Sequence, residues 1–216
     1  MPFRNREEAA QLLAERLSHY KGREPLLLAI PRGAVPMAKI IADRLGGDLD
    51  VILVRKLGAP GNPELAIGAV DETGYVFLND YARALGATED YLAAEKEEQL
   101  NTLRRRRAQY TQIHPALDPK DRIVIVLDDG IATGSTMIAA LSALRARQPK
   151  ALIVATAVAP PSTLSRLTEV ADEVVCLEPR EDFHAVGQFF EDFSPVSDDE
   201  VIQVLKQGRS EEGSRP

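Results

Sequence analysis

Two adjacent carboxylates, Asp128 and Asp129, precede a run of small and hydroxylated residues, Ala132-Thr133-Gly134-Ser135-Thr136. Neighbouring acceptor-only groups suit a vicinal diol, and either can also hold a magnesium-bound water. In the run that follows, small side chains let backbone N–H groups converge and hydroxyls donate. A helix beginning at once adds the positive end of its dipole, which makes an anion site sized for a phosphate monoester. Diol acceptors beside a phosphate cradle describe a ribose 5-phosphate. Each half alone is ordinary, since Asp-Asp-Gly also ends strands as a turn and Ser-Thr also caps helices. The whole string IVIVLDDGIATGSTM is far more specific. It is not a P-loop, because no lysine follows Gly134, and neither GxGxxG nor GxSxG occurs. Three scattered histidines and one cysteine give no zinc spacing.

Cationic groups stand at the ends of two other apolar runs. In LAIPRGAVPMA a strand leads into Pro31-Arg32-Gly33 and then a helix, so Arg32 and the N–H groups of Arg32 and Gly33 suit a pyrophosphate. The alternative there is a plain strand-to-helix turn. In VRKLG, Arg55 or Lys56 would reach the same anion from the adjoining loop, where Glu64 is either a polar contact or a turn residue. Toward the C-terminus, EPREDFHAVGQFFEDF at 178–193 concentrates Phe183, Phe189 and Phe190, rings that would stack a flat heterocycle or pack inward from an amphipathic helix. His184 reads as a surface or hydrogen-bonded histidine rather than a catalyst.

These residues must be positioned by something, and the apolar pattern says what. Runs at 25–30, 51–54, 122–127, 151–157 and 173–177 read as strands. Between them, Asn5 with Glu8 starts one helix, and 34–45 and 135–146 have helical spacing. Strands apolar on both faces and joined through helices predict an α/β fold with a parallel sheet covered on each side, whose ligands sit at the carboxyl ends of the strands. The stretch 55–80 breaks this rhythm. It reads as a mobile Gly/Pro-rich loop, a cover for the site over 57–74, and a β-hairpin across the turn DETG. A charged helix over roughly 88–113 follows, completing an insertion of about 57–115 in a single domain spanning 1–208, with a flexible tail at 209–216.

Composition excludes several classes. Lys plus Arg total 26 against 33 Asp plus Glu, a net charge of −7, which argues against bulk attraction to nucleic acid or an anionic membrane. The run Arg104–Arg107 follows acids along its helix, as on a solvated face or a subunit contact. A lone Cys176 permits no internal disulfide. With no apparent signal peptide and no apolar run of membrane-spanning length, the expectation is a soluble, cytoplasmic protein.

IVIVLDDGIATGSTM resembles the phosphoribosyl pyrophosphate (PRPP) motif of the type I phosphoribosyltransferases, with supporting features over most of residues 5–205. The resemblance implies that fold with a small hood. It makes Asp128 and Asp129 the ribose-binding catalytic acids, touching metal through water or the ribose, and gives the 5-phosphate to Ala132, Thr133, Gly134, Ser135 and Thr136. The pyrophosphate would fall to Pro31, Arg32, Gly33, Arg55 and Lys56, of which Arg32 and Lys56 would also be catalytic by neutralising the leaving group, with Phe183 and Phe189 in the hood. It further implies Mg2+ as cofactor, with PRPP and a nitrogenous base as partners. A homodimer is expected because the long charged helix and the hairpin at 66–78 present more surface than one small core needs. Ala132 departs from the 6-oxopurine enzymes, which have an aspartate there near the base, so the acceptor stays open. Two other readings use the same cradle: a PRPP- or nucleotide-sensing regulator without turnover, and a sugar-phosphate hydrolase.

Overall fold

The structure, a computed structural model, describes residues 2–111 and 116–210. Its centre is a parallel sheet in the order β2 (Asp48–Val51), β1 (Leu26–Ala29), β6 (Ile123–Asp128), β7 (Ala151–Ala159), β8 (Glu173–Pro179). Alternate residues of each strand feed two cores. Leu27, Ala29, Ile125 and Leu127 face α1 (Arg6–Arg16), α2 (Ala34–Leu45) and α6 (Asp198–Ser210). Leu26, Leu28, Val124 and Val126 face α4 (Ser135–Ala146) and α5 (Pro161–Leu167). Coverage on both faces explains why these strands are continuously apolar. The α/β expectation is thus observed, with the expected strands at 25–30, 122–127, 151–157 and 173–177 and the expected helices at 34–45 and 135–146. Asn5 caps α1 as read, its side chain accepting from the Glu8 N–H at 3.0 Å.

The order of strands decides where chemistry can occur. From β1 the chain moves to β2 on one side and later returns to place β6 on the other, so the loops after β1 and β6 diverge and leave a crevice at their carboxyl ends. Pairing continues one step past β1, with Ile30 N–H donating to the Leu127 carbonyl at 2.9 Å. Pro31-Arg32-Gly33 and Asp128-Asp129-Gly130 therefore emerge side by side.

Residues 54–78 differ from expectation. Instead of a mobile loop, β3 (Val54–Ala59) turns at Pro60-Gly61 into β4 (Asn62–Asp71), and β5 (Val76–Leu78) completes an antiparallel sheet. The hairpin across DETG is as read: the Asp71 carboxylate accepts from the Thr73 N–H and hydroxyl and from the Tyr75 N–H, and Gly74 takes a φ of 88°. The first hairpin hides from the alternation pattern because its register shifts around Gly58, whose missing Cβ lets Pro63 press close and breaks the period of two. Leu57 and Ile67 are nevertheless fully buried. The apolar run 51–54 is divided, since Ile52 and Leu53 are both buried as the chain passes from one sheet to the other. The Glu64 side chain lies outside the described structure. So do 211–216 of the expected tail, while α6 runs on to Ser210.

The long helix α3 (Glu89–Thr111) corrects the reading of its arginines. Arg104 pairs with Glu97 on the surface, but Arg107 turns inward and bonds the carboxylates of Asp50 and Glu72, each at 3.1 Å. Asp50, only 2% exposed, also accepts from the Val51 and Leu117 N–H groups. A buried arginine shared by two acids leaves one incompletely compensated. Burial pushes the Glu72 carboxyl up to about 7 against the pull of Arg107, with Asp50 and Asp71 adding to the rise. The folded chain therefore keeps a proton that the unfolded chain, at the ordinary 4.5, has released. That favours folding below this window and is lost as pH rises through about 7. Glu72→Gln should flatten the fall in stability between about pH 4.5 and about pH 7, and exceed wild type at the upper end by on the order of 1 kcal/mol. Parallel melting curves against pH for the two proteins would contradict this.

Candidate active site

At the switch-point crevice Asp128 ends β6 half-buried, and its Oδ1 accepts from the Asp129 N–H at 2.9 Å. Burial, then the charge of Asp129, pushes the Asp128 carboxyl well above the ordinary range. Asp129 is wedged against Gly33, where a Cβ would collide with its Oδ2. The sequence's two remote loops are thus in contact at this point. The same Oδ2 accepts from Arg6 Nε at 2.8 Å.

The loop 132–136 owes its shape to one glycine and one neighbouring helix. Gly134 sits in the left-handed region at φ 75° and caps α4, so the first N–H groups of that helix open toward the loop. Thr133 Oγ1 and Ser135 Oγ lie 3.3 Å apart. From α5, Thr163 donates to the Ala132 carbonyl at 2.6 Å and Arg166 to the Thr133 carbonyl at 3.0 Å. Ala132, Thr133 and Thr136 are exposed, Ser135 is half-buried and Gly134 is buried.

On the other loop the Pro31-Arg32 peptide is cis, and Gly33 caps α2. The Arg32 guanidinium stands 3.6 Å from the Asp198 carboxylate at the start of α6. Arg55 and Lys56 part company, because neighbours on a strand point to opposite faces. Arg55 bonds Gln99 of α3 at 2.9 Å, away from the loops of the crevice. Lys56 instead lines a cavity of about 170 Å³ between α4 and the small sheet, together with Ser135, Arg166, Asn79 and Tyr81. That places Lys56 beside the loop 132–136.

The segment at 178–193 is neither a helix nor an open aromatic platform. After β8 it forms a loop and a 3-10 turn over Val186–Phe189. Phe189 is 6% exposed, its ring 5.3 Å from that of Phe183 and beneath the Arg180 guanidinium, so it serves here as a core aromatic. Val186 presses on Gly130, where any Cβ would collide with it, so the segment does cover the Asp-Asp loop, through an aliphatic residue.

Two cations at the site, Arg6 and Arg166, escaped sequence reasoning. Neither lies in a motif, and only the packing of α1 and α5 brings them in. Among the described residues no group of three His, Cys, Asp or Glu forms a ready metal cage, and no helix is long and apolar enough to cross a membrane.

A family model described as phosphoribosyl transferase domain matches residues 4–194. Two Mycobacterium tuberculosis proteins, from strains H37Rv and CDC 1551, are provisionally named phosphoribosyl transferases. Each is 39% identical to this chain over 204 residues, 94% of it and 46% of theirs. The chain thus spans about half the length of these curated relatives. The crystal structure of TT1426 from Thermus thermophilus superposes with a TM-score of 0.89 at 45% identity, covering 96% of this chain and 99% of that one. A hypoxanthine-guanine phosphoribosyltransferase from Bacillus anthracis reaches a TM-score of 0.42 at 17% identity, covering 82% of this chain and 79% of its own. A likeness that distant does not bear on the acceptor.

The close approach of the two loops makes Gly33→Ala a direct probe of the geometry. The added methyl group would meet the Asp129 carboxylate and the Arg6 guanidinium, and should lower stability by about 1–3 kcal/mol in denaturant titration. Unchanged stability would mean that Asp129 does not pack there.

Proposed function

The chain belongs to the phosphoribosyl transferase domain family, and from that membership we propose that it transfers the 5-phosphoribosyl group of PRPP to a nitrogenous base with release of pyrophosphate. The observation that carries the proposal is the convergence of an acid pair, a phosphate loop and an arginine loop at one switch point. In this reading the loop 132–136 holds the 5-phosphate, with Arg166 and Lys56 facing it from α5 and the small sheet. Asp128 and Asp129 accept from the ribose hydroxyls and fix the sugar ring. Arg32, with the N–H groups at the start of α2, takes the pyrophosphate, which requires its side chain to leave Asp198.

Displacement then occurs at the anomeric carbon. The bond to the pyrophosphate oxygen breaks as the base nitrogen forms its bond to the carbon, and positive charge grows on the sugar while negative charge grows on the leaving group. Arg32 neutralises the second, and the acid pair stands beside the first. Asp128 or Asp129 would supply one or two carboxylate oxygens to a magnesium ion, an ion that keeps much of its shell from water and substrate rather than from a protein cage. When bound, Mg2+ supplies further charge neutralisation on the leaving group. The β3–β4 hairpin, standing where the sequence suggests a mobile cover, is the element suited to exclude water.

The reading carries a cytoplasmic setting and a homodimer, whose second copy would cover Leu65, Leu78 and Tyr81, apolar side chains exposed on and beside the small sheet. The regulatory alternative draws on the run Arg104–Arg107, of which Arg107 is engaged in the buried network and the other three stay exposed.

Calorimetric titration of PRPP with Mg2+ into wild type and into the Asp128→Asn, Asp129→Asn double variant tests the assignment. The double variant should bind on the order of a hundredfold more weakly, and Arg166→Gln about tenfold. Equal affinity in the folded double variant would refute the role of the acid pair.

A further inference from the structure

One guanidinium joins the acid pair to the covering segment. Arg6, at the first position of α1, is 14% exposed in its side chain and makes three contacts. Its Nε donates to Asp129 Oδ2 at 2.8 Å. Its Nη1 donates to the Ser194 carbonyl at 2.8 Å. Its plane lies over the Phe193 ring, 3.8 Å from the centroid. The segment before Ser194 is itself tied to the N-terminus, with Glu191 and Asp192 N–H groups donating to the Phe3 and Arg4 carbonyls. Arg6 thus stands where the covering segment, α1, the Gly33 turn and the PRPP acids meet. A Cβ on Gly33 would meet its guanidinium as well as Asp129.

We propose that Arg6 is a positioning residue that orients Asp129 for the ribose and makes that orientation depend on the covering segment at Phe193–Ser194. The inference rests on the PRPP reading above. With Oδ2 held by Arg6, the carboxylate cannot rotate freely, and its other oxygen keeps a fixed direction for a sugar hydroxyl. The bond is charge-assisted and largely removed from water, where such pairs are strongest and loss of one member is most costly. Phe193 and the Ser194 carbonyl fix the guanidinium in turn. A shift of the covering segment, as on entry of an acceptor, would move Arg6 and with it the acid that holds the ribose. The two substrates then sense each other through one side chain, and the planar fork of arginine is needed to reach carboxylate, carbonyl and ring together.

The test is a double-mutant cycle on PRPP affinity, measured by calorimetry with Mg2+ in wild type, Arg6→Gln, Phe193→Ala and the double variant. Arg6→Lys serves as the conservative rescue, and thermal melting confirms folding of each. Arg6→Gln should weaken PRPP by about tenfold, the scale of a lost charge-assisted hydrogen bond, with Arg6→Lys between it and wild type. Phe193→Ala should weaken PRPP by about threefold, and the double variant should be no worse than Arg6→Gln alone, because the ring acts only through the guanidinium. Folded Arg6→Gln with wild-type affinity, or strictly additive effects in the cycle, overturns this inference while leaving the PRPP reading intact. Failure of wild type itself to bind PRPP overturns both.

Discussion

The pairing of β1 with β6 is the constraint on which the rest of the molecule depends. Residues Leu26–Ala29 lie in parallel register with Val124–Leu127, and one more bond from Ile30 carries the alignment to the strand ends. Side chains alternate between faces with a period of two, so a slip of one residue would send both apolar sets to the wrong cores and misalign the loops. Because the register holds, Gly33 and Asp129 meet although they are far apart in sequence, and the crevice between the loops has an acid pair on one wall and a helix start on the other. The two cores exist to keep that register.

The site also resolves an apparent conflict in charge. The chain carries −7 overall, yet cations gather at the crevice. They are collected locally, as Arg6, Arg32, Lys56 and Arg166, from four different elements or their flanks. The arginines rest against partners within the fold: Arg6 against Asp129, Arg32 against Asp198 and Arg166 against the Thr133 carbonyl. Those partners hold the guanidinium groups in order, and in a partly enclosed crevice a local charge counts for more than the net charge outside.

Much of this was legible in the sequence because the parallel sheet leaves a strong mark. Strands buried on both faces read as β-branched and leucine runs, and the expected helices at 34–45 and 135–146 match α2 and α4. Asp128, Asp129 and the loop 132–136 were readable because strand, acids, glycine and helix start are contiguous. What stayed hidden depends on packing between distant segments. Arg107 looks like its neighbours Arg104–Arg106 until Asp50 and Glu72 are placed beneath it. The β3–β4 hairpin lost its alternation at Gly58, and so read as a loop. Arg55 and Lys56 both read as candidates for one anion, but strand geometry sends Arg55 to α3 and Lys56 to the side of the loop 132–136. Phe189 takes the inward-packing alternative that the sequence offered, with Phe183 and Arg180 folding over it, although from a loop and turn rather than an amphipathic helix.

The most direct trial of the account is phosphorus NMR of the wild-type protein with PRPP and Mg2+, repeated over a panel of nitrogenous bases. The account predicts pyrophosphate resonances that grow only when a suitable base is present, with a matching loss of PRPP. PRPP left unchanged with every base, or converted equally well with none, would contradict the central claim that this crevice transfers a phosphoribosyl group.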